Sequence, residues 1–85
     1  MKIEFSFHAL LKIDILQSQG VAITKESVEG IVKEPDKVDT GYRGRLIAQG
    51  RLDDTHVVRV VYEESLERIR IITVYPGRSS RYEND

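Results

Sequence analysis

Val28–Thr40 has the sequence VEGIVKEPDKVDT, and the apolar pattern of the whole chain changes at its Pro35. Before Pro35 the apolar residues recur at helical intervals, whereas after it they alternate with polar residues, as in a strand. Proline disfavours helical geometry in the residue before it, so the helix must end near Glu34. The sequence therefore predicts helices before Pro35 and strands after it.

Two helices are predicted upstream of this change, over residues 6–19 and 25–33. Ser6 and Thr24 are residue types that cap a helix N-terminus with a side-chain oxygen. Gly20 suits the left-handed backbone conformation that commonly ends a helix. We therefore expect two short helices separated by a tight turn.

The predicted first helix is apolar around most of its circumference. Phe7, Leu11 and Ile15 form one stripe, and a second stripe is formed by Ala9, Ile13 and Leu16. A helix on the surface of a sheet normally carries a single apolar stripe. We therefore expect this helix to pack on two sides and predict a homodimer, or another docked partner, through residues 6–19.

Four strands are predicted after Pro35, over residues 37–40, 45–52, 56–62 and 68–75, and short turns between them favour an antiparallel meander. In the last strand, alternation places Ile69, Ile71 and Thr73 on one face and Val74 on the other. The predicted fold class is α+β, with two N-terminal helices on one face of a four-stranded antiparallel β-meander. We expect a single domain over residues 1–85, with a flexible tail from about residue 79.

Composition excludes several classes of protein. The 85 residues contain no cysteine, so disulfides, thiolate catalysis and thiolate metal sites are excluded. No apolar run approaches the ~20 residues of a membrane span, and the start lacks the features of a secretory signal. These observations favour a cytoplasmic protein that does not interact with membranes.

The cations are divided along the chain. All five lysines precede residue 43, and all eight arginines lie from residue 43 onwards. Arginine binds phosphate and carboxylate through two parallel hydrogen bonds, although its stem also covers apolar surface on exposed strands. The strand pattern places Arg45, Arg51, Arg59 and Arg70 on the face away from the helices. A net charge of −1 means that any phosphate site is a local patch.

Several short segments together resemble a known family. They are FSFHA (Phe5–Ala9), GVAIT (Gly20–Thr24), KEPD (Lys33–Asp36), VVY (Val60–Tyr62), ITVYP (Ile72–Pro76) and RY (Arg81–Tyr82). The chain resembles an uncharacterised small-domain family related to the BrnT toxins, within the RelE/ParE-like toxin superfamily. That superfamily packs helices on a curved antiparallel sheet, in agreement with the pattern above.

The resemblance implies a function, because known members of the superfamily include toxins that cleave messenger RNA and are neutralised by an antitoxin. Such cleavage proceeds by attack of a ribose 2′-hydroxyl on the adjacent phosphorus, without a metal, and RNA or a ribosome would be a partner. The expected catalytic residues are His8, Arg70, Arg81 and Tyr82. The expected phosphate- or RNA-binding residues are Arg45, Arg51, Arg59, Arg78 and Tyr75.

Other interpretations of the same residues stay open. RNA-cleaving members tend to be basic and this chain is slightly acidic, so the alternative function is a non-catalytic protein-binding or homodimeric module. His8 would then cap or pack at the start of its helix, and Arg81 and Tyr82 would belong to a frayed tail. Asp53–His56 (DDTH) contains metal-capable side chains but has no second cluster, so we expect no metal and no cofactor.

Overall fold

The computed structural model describes residues 2–82, which form a five-stranded sheet with two long helices between its first and second strands and a short helix after the last strand. The elements are β1 (Lys2–Phe5), α1 (Phe7–Ser18), α2 (Lys25–Lys33), β2 (Lys37–Thr40), β3 (Leu46–Arg51), β4 (His56–Glu64), β5 (Arg68–Arg78) and α3 (Ser79–Tyr82). A 3₁₀ turn at Tyr42–Gly44 joins β2 to β3. The α+β class predicted from the sequence is confirmed.

The sheet has the strand order β1-β5-β4-β3-β2. β2 to β5 form the predicted antiparallel meander. The prediction of a purely antiparallel sheet of four strands is wrong, because β1 adds a fifth strand that pairs parallel to β5. β1 was not predicted because its four residues are too few to show an alternation of apolar and polar side chains.

Side-chain caps set the start of both long helices. The Ser6 Oγ accepts a hydrogen bond from the Ala9 N–H at 3.0 Å. The Thr24 hydroxyl likewise accepts a hydrogen bond from the Ser27 N–H at 3.0 Å. The Thr24 N–H in turn donates to the Ser27 Oγ, which completes a capping box. Gly20 has φ +86°, the left-handed conformation expected after α1. The predicted caps and turn are therefore present.

The core lies between the helices and one face of the sheet, here called the helix face. Ala9, Ile13 and Leu16 of α1 pack with apolar residues of the strands, among them Val60 and Ile71. Burial of these side chains is the main favourable contribution to folding.

α2 packs closely against β3. A Cβ atom added to Gly50 would lie 2.5 Å from the Ile31 side chain, so only glycine allows this approach. Both long helices therefore cover the same face, and the opposite face of the sheet is left without a helix layer of this kind.

An irregularity in β5 changes which residues face the helices. Val61 pairs with Thr73 and Tyr62 pairs with Ile71, so Ile72 has no partner on β4. Such a bulge shifts the alternation by one residue. Val74 is consequently buried in the core with Ile71, and the predicted placement of Thr73 on the core face is wrong.

The bulge also anchors α1. The Ser6 Oγ donates to the Ile72 carbonyl at 2.8 Å, and the Ser6 N–H donates to the Ile71 carbonyl at 2.9 Å. One serine therefore caps the helix and fixes its first turn against β5.

The segment expected as a flexible tail begins with an ordered turn. Ser79 donates its N–H to the Thr55 carbonyl at 2.8 Å, and residues 79–82 form α3. Residues 83–85 lie outside the described residues. Within residues 2–82, no helix is both long and apolar enough to cross a bilayer.

Replacing Ser6 by alanine tests the anchoring of α1. We expect Ser6→Ala to lower the free energy of unfolding by about 1–2 kcal/mol, because the Ala9 N–H and the Ile72 carbonyl both lose a partner. Ser18→Ala, which removes only an exposed bond to the Ile15 carbonyl, should change it by less than about 0.5 kcal/mol. Urea unfolding measures both, and equal losses would contradict the anchoring role.

Candidate functional site

The face of the sheet away from α1 and α2 carries a row of polar side chains and is called the polar face here. Lys37, Gln49, Arg59 and Tyr75 are cross-strand partners from β2 to β5 and therefore project from the same face. Arg59 lies on β4, the central strand of the sheet. The strand register thus places one arginine at the middle of the polar face.

Arg59 is held by three hydrogen-bonding partners. Its Nη1 donates to Gln49 Oε1 at 2.6 Å, its Nε donates to the Tyr75 hydroxyl at 3.1 Å, and its Nη2 lies 3.1 Å from Asp39 Oδ2. Only 6% of the arginine side chain is exposed. A buried charge is tolerated when it is paired and hydrogen-bonded in this way.

The same contacts keep Arg59 charged. Burial disfavours the charged guanidinium, but the hydrogen bonds to Tyr75 and Asp39 outweigh it, so the pKa of Arg59 is raised above its ordinary value. The group is therefore a fixed positive charge at every physiological pH.

α3 covers this arginine with an aromatic ring. The Tyr82 ring lies 4.2 Å from the Arg59 Cζ, a cation–π distance. The ring also lies against Gly77, where an added Cβ would come within 2.4 Å of it. Lys37 Nζ donates to the Tyr82 carbonyl. The last turn of the chain is therefore attached to the polar face at several points.

Three further arginines of the polar face are paired with acids. Arg45 lies 3.3 Å from Glu63, Arg51 pairs with Asp54, and Arg68 of β5 contacts Glu4 of the edge strand β1 at 3.0 Å. These pairs are solvent-exposed, so each contributes little to stability. Positive and negative charges therefore balance in these pairs, and the arginines can exchange their carboxylate partners for another anion at little cost.

Three predicted site residues are exposed and make no ion pair within residues 2–82. They are Arg70, Arg78 and Arg81. Arg70 is the cross-strand partner of Glu63 on the polar face, while Arg78 ends β5 and Arg81 belongs to α3. Six predicted residues share the polar face: Arg45, Arg51, Arg59, Arg70, Tyr75 and Tyr82.

His8 is placed apart from the others. It lies exposed in the first turn of α1, and α1 packs on the helix face through Ala9, Ile13 and Leu16. The sheet therefore separates the His8 layer from Arg59 and Tyr82. The structure does not bring His8 together with the arginines and tyrosines that the sequence grouped with it.

The other histidine has an ordered environment in the turn between β3 and β4. His56 Nδ1 lies 3.0 Å from Asp53 Oδ1 and 2.9 Å from the Thr55 hydroxyl. The Asp53 carboxylate also accepts the Thr55 N–H at 2.9 Å. This backbone bond and then the His56 bond lower the pKa of Asp53 below its ordinary value. The turn thus holds a carboxylate–imidazole pair.

Two cavities meet at this end of the sheet. A polar cavity of about 500 Å³ lies on the polar face between Lys37, Gln49, Arg51 and Asp53. A more apolar cavity of about 380 Å³ is lined by Val21, Leu52, Pro76 and His56. Asp53 borders both. No group of three or more histidine, aspartate or glutamate side chains within residues 2–82 is arranged to bind a metal ion.

The arginines of the polar face were predictable from the sequence, but the partners of Arg59 were not. Asp39 and Gln49 complete the Arg59 network, but only the strand register reveals that they face it. The pairing of Asp53 with His56 had a visible signal, because the two residues are three apart in a predicted turn. Comparison of the chain with models of protein families, with curated proteins and with solved structures gives no match.

Removing the Tyr82 ring tests how strongly α3 is held. We expect Tyr82→Ala to lower the free energy of unfolding by about 2 kcal/mol, because the cation–π contact with Arg59 is shielded from solvent. Tyr42→Ala is the matched control, since the Tyr42 ring faces Arg43 at 5.3 Å but is 77% exposed. That variant should lose less than about 1 kcal/mol. Similar losses in chemical unfolding would show that α3 is only loosely attached.

Proposed function

We propose that this chain is a toxin-type protein that binds single-stranded RNA on its polar face and cleaves it by 2′-hydroxyl attack without a metal. The proposal rests on the resemblance to the BrnT-related family and the RelE/ParE-like superfamily. The single observation that carries it is that six of the site residues predicted from the strand pattern and the resemblance share one face: Arg45, Arg51, Arg59, Arg70, Tyr75 and Tyr82.

Charge on the polar face supports RNA as the ligand. Arg51 is exposed and Arg45 is half-buried, and each is paired with a single surface carboxylate. Exchange of such a carboxylate for a phosphate costs little, because surface ion pairs contribute only about 0–1 kcal/mol. Arg70 is exposed and needs no exchange. Three arginines can therefore follow an RNA backbone across the face.

Arg59 has a different part in this proposal. Its guanidinium is already bound by Gln49, Tyr75 and Asp39 and lies beneath the Tyr82 ring. It supplies a fixed positive charge beneath the RNA path without a direct contact. Tyr82, which is only half-buried, offers one aromatic ring at the surface.

Neutralising the exposed arginines tests RNA binding. We expect Arg45→Gln, Arg51→Gln and Arg70→Gln together to weaken single-stranded RNA binding at least tenfold at low salt. The slope of log K against log salt should fall by about 2, since each phosphate contact contributes about 0.7 to that slope. Fluorescence anisotropy over a salt series measures both quantities.

The matched control removes three cations from the helix layer. Lys12→Gln, Lys25→Gln and Lys33→Gln together give the same change in net charge on α1 and α2. This variant should keep nearly the full affinity and slope. If both triple variants bind RNA equally well, the polar face is not the RNA-binding surface.

A second candidate function is a homodimeric, protein-binding module that uses α1. One observation favours it: Phe7 is 82% exposed, Leu11 47% and Ile15 43%, although all three are large and apolar. They recur every four residues and so form one stripe, and Leu10 beside them is also exposed. Contiguous exposed apolar residues mark interaction sites. A second copy of this chain is the proposed occupant, with an antitoxin as the competing one.

Leu11→Glu tests this association. We expect the unmodified protein to sediment as a dimer and Leu11→Glu as a monomer, because a carboxylate in the centre of the stripe cannot be buried without a partner. Leu66→Glu is the control, since Leu66 is 99% exposed in the turn between β4 and β5. A monomer at all concentrations for the unmodified protein would rule out the homodimer.

A further inference from the structure

We propose that His56, oriented by Asp53, is the proton acceptor for the 2′-hydroxyl of RNA bound beside Arg78. This inference rests on the proposed RNA cleavage and identifies the base that this reaction requires. Neither histidine lies on the polar face: His8 belongs to α1, and the strand register places His56 and its partner Arg78 on the helix face, at the end of the sheet. His56 lies at the end of the sheet where the two cavities meet.

The hydrogen bonds around His56 favour one tautomer of the neutral imidazole, the one protonated at Nδ1. Asp53 Oδ1 accepts hydrogen bonds only, so the Nδ1 that lies 3.0 Å away carries the proton. The Thr55 hydroxyl, 3.3 Å from the same carboxylate oxygen, holds the arrangement from the other side. Nε2 is then left as an acceptor, and it makes no hydrogen bond within residues 2–82. This is the arrangement in which a carboxylate positions a histidine base.

The strand register supplies a phosphate-binding group next to the ring. His56 and Arg78 are directly opposite on β4 and β5, so their Cβ atoms are about 5 Å apart. Arg78 is exposed and borders a small cavity with Thr55, Ser79 and Ser80. A phosphate bound there would bring its neighbouring ribose towards His56.

The remaining surroundings suit one nucleotide unit. The apolar cavity lined by Val21, Leu52 and Pro76 lies on one side of His56 and can take a base. The polar cavity that contains Arg51 lies on the other side of Asp53 and continues onto the polar face. RNA that follows the exposed arginines of the polar face would pass around this end of the sheet to reach His56 and Arg78 on the helix face.

The reaction balances with water as the only additional reactant. His56 Nε2 takes the proton of the 2′-hydroxyl as the 2′-oxygen forms its bond to phosphorus. The bond between phosphorus and the 5′-oxygen breaks, and that oxygen takes a proton from water. The imidazolium then returns its proton to the solvent. The products are a 2′,3′-cyclic phosphate and a 5′-hydroxyl end.

Mutant kinetics provide the first test. We expect His56→Gln to lower the rate of cleavage of a 20-nucleotide single-stranded RNA by at least 100-fold, with RNA affinity unchanged within twofold. His8→Gln carries the same substitution in the helix layer and should cleave at the normal rate. Retained cleavage in His56→Gln, or a selective loss in His8→Gln, would overturn the assignment.

Nitrogen-15 NMR reports the tautomer of His56, which would not change if Asp53 had a purely structural role. The unmodified protein should show Nδ1 protonated and Nε2 unprotonated, and Asp53→Asn should mix the two tautomers and slow cleavage about tenfold. Asp53→Glu should restore both properties in part. A single tautomer in Asp53→Asn would show that Asp53 does not position the ring.

A non-cleavable RNA separates this inference from the proposed function. On addition of the 2′-O-methyl form of the same oligonucleotide, the His56 signals should shift and the His8 signals should not. If this RNA binds and His56 is undisturbed, or if it binds and the natural RNA stays intact, RNA binding stands and the His56 assignment fails. If neither RNA binds, the proposed function fails and the assignment fails with it.

Discussion

The buried Arg59 guanidinium is the interaction on which the polar face depends. An arginine in the middle of the central strand cannot reach bulk water, so its five N–H donors must find partners within the fold. Asp39, Gln49 and Tyr75 accept one contact each from Nη2, Nη1 and Nε and lie on three other strands, and the Tyr82 ring covers the group. Removal of one partner would leave a buried charge incompletely paired, which is costly. α3 adds no acceptor for the guanidinium, but its Tyr82 ring lies over the group and shields it from solvent.

The two faces of the sheet are stabilised by different interactions, although the same strands form both. On the helix face, valine and isoleucine of β4 and β5 meet the apolar stripe of α1, and the stabilisation is non-directional. On the polar face, stabilisation depends on hydrogen bonds whose geometry is fixed by the strand register. The bulge at Ile72 links the two faces, because it turns Val74 into the core and leaves Thr73 and Tyr75 on the side of Arg59.

The sequence predicts those features that depend on local chemistry. Ser6, Thr24 and Gly20 mark the helix ends by residue type alone, and the change of period at Pro35 separates helices from strands. Features that depend on pairing are not visible in the same way. The short β1 is a strand because it pairs with β5. The bulge at Ile72 contains no proline or glycine that would mark it in the sequence. The arginines were recognisable as a group, whereas the burial of Arg59 follows from partners 10 to 20 residues away along the chain.

The arginines fall into two kinds, buried and surface-exposed, which differ in how much it costs to replace their carboxylate partners by another anion. Arg59 cannot exchange Asp39 for a phosphate without opening α3 and exposing the network beneath it, so it acts through its charge and through the order it imposes. Arg45 and Arg51 can exchange a surface carboxylate at little cost, because water already competes for both groups. Arg70 and Arg78 require no exchange. An anionic ligand would therefore contact the exposed arginines around the face, while Arg59 at its centre holds the surrounding side chains in place.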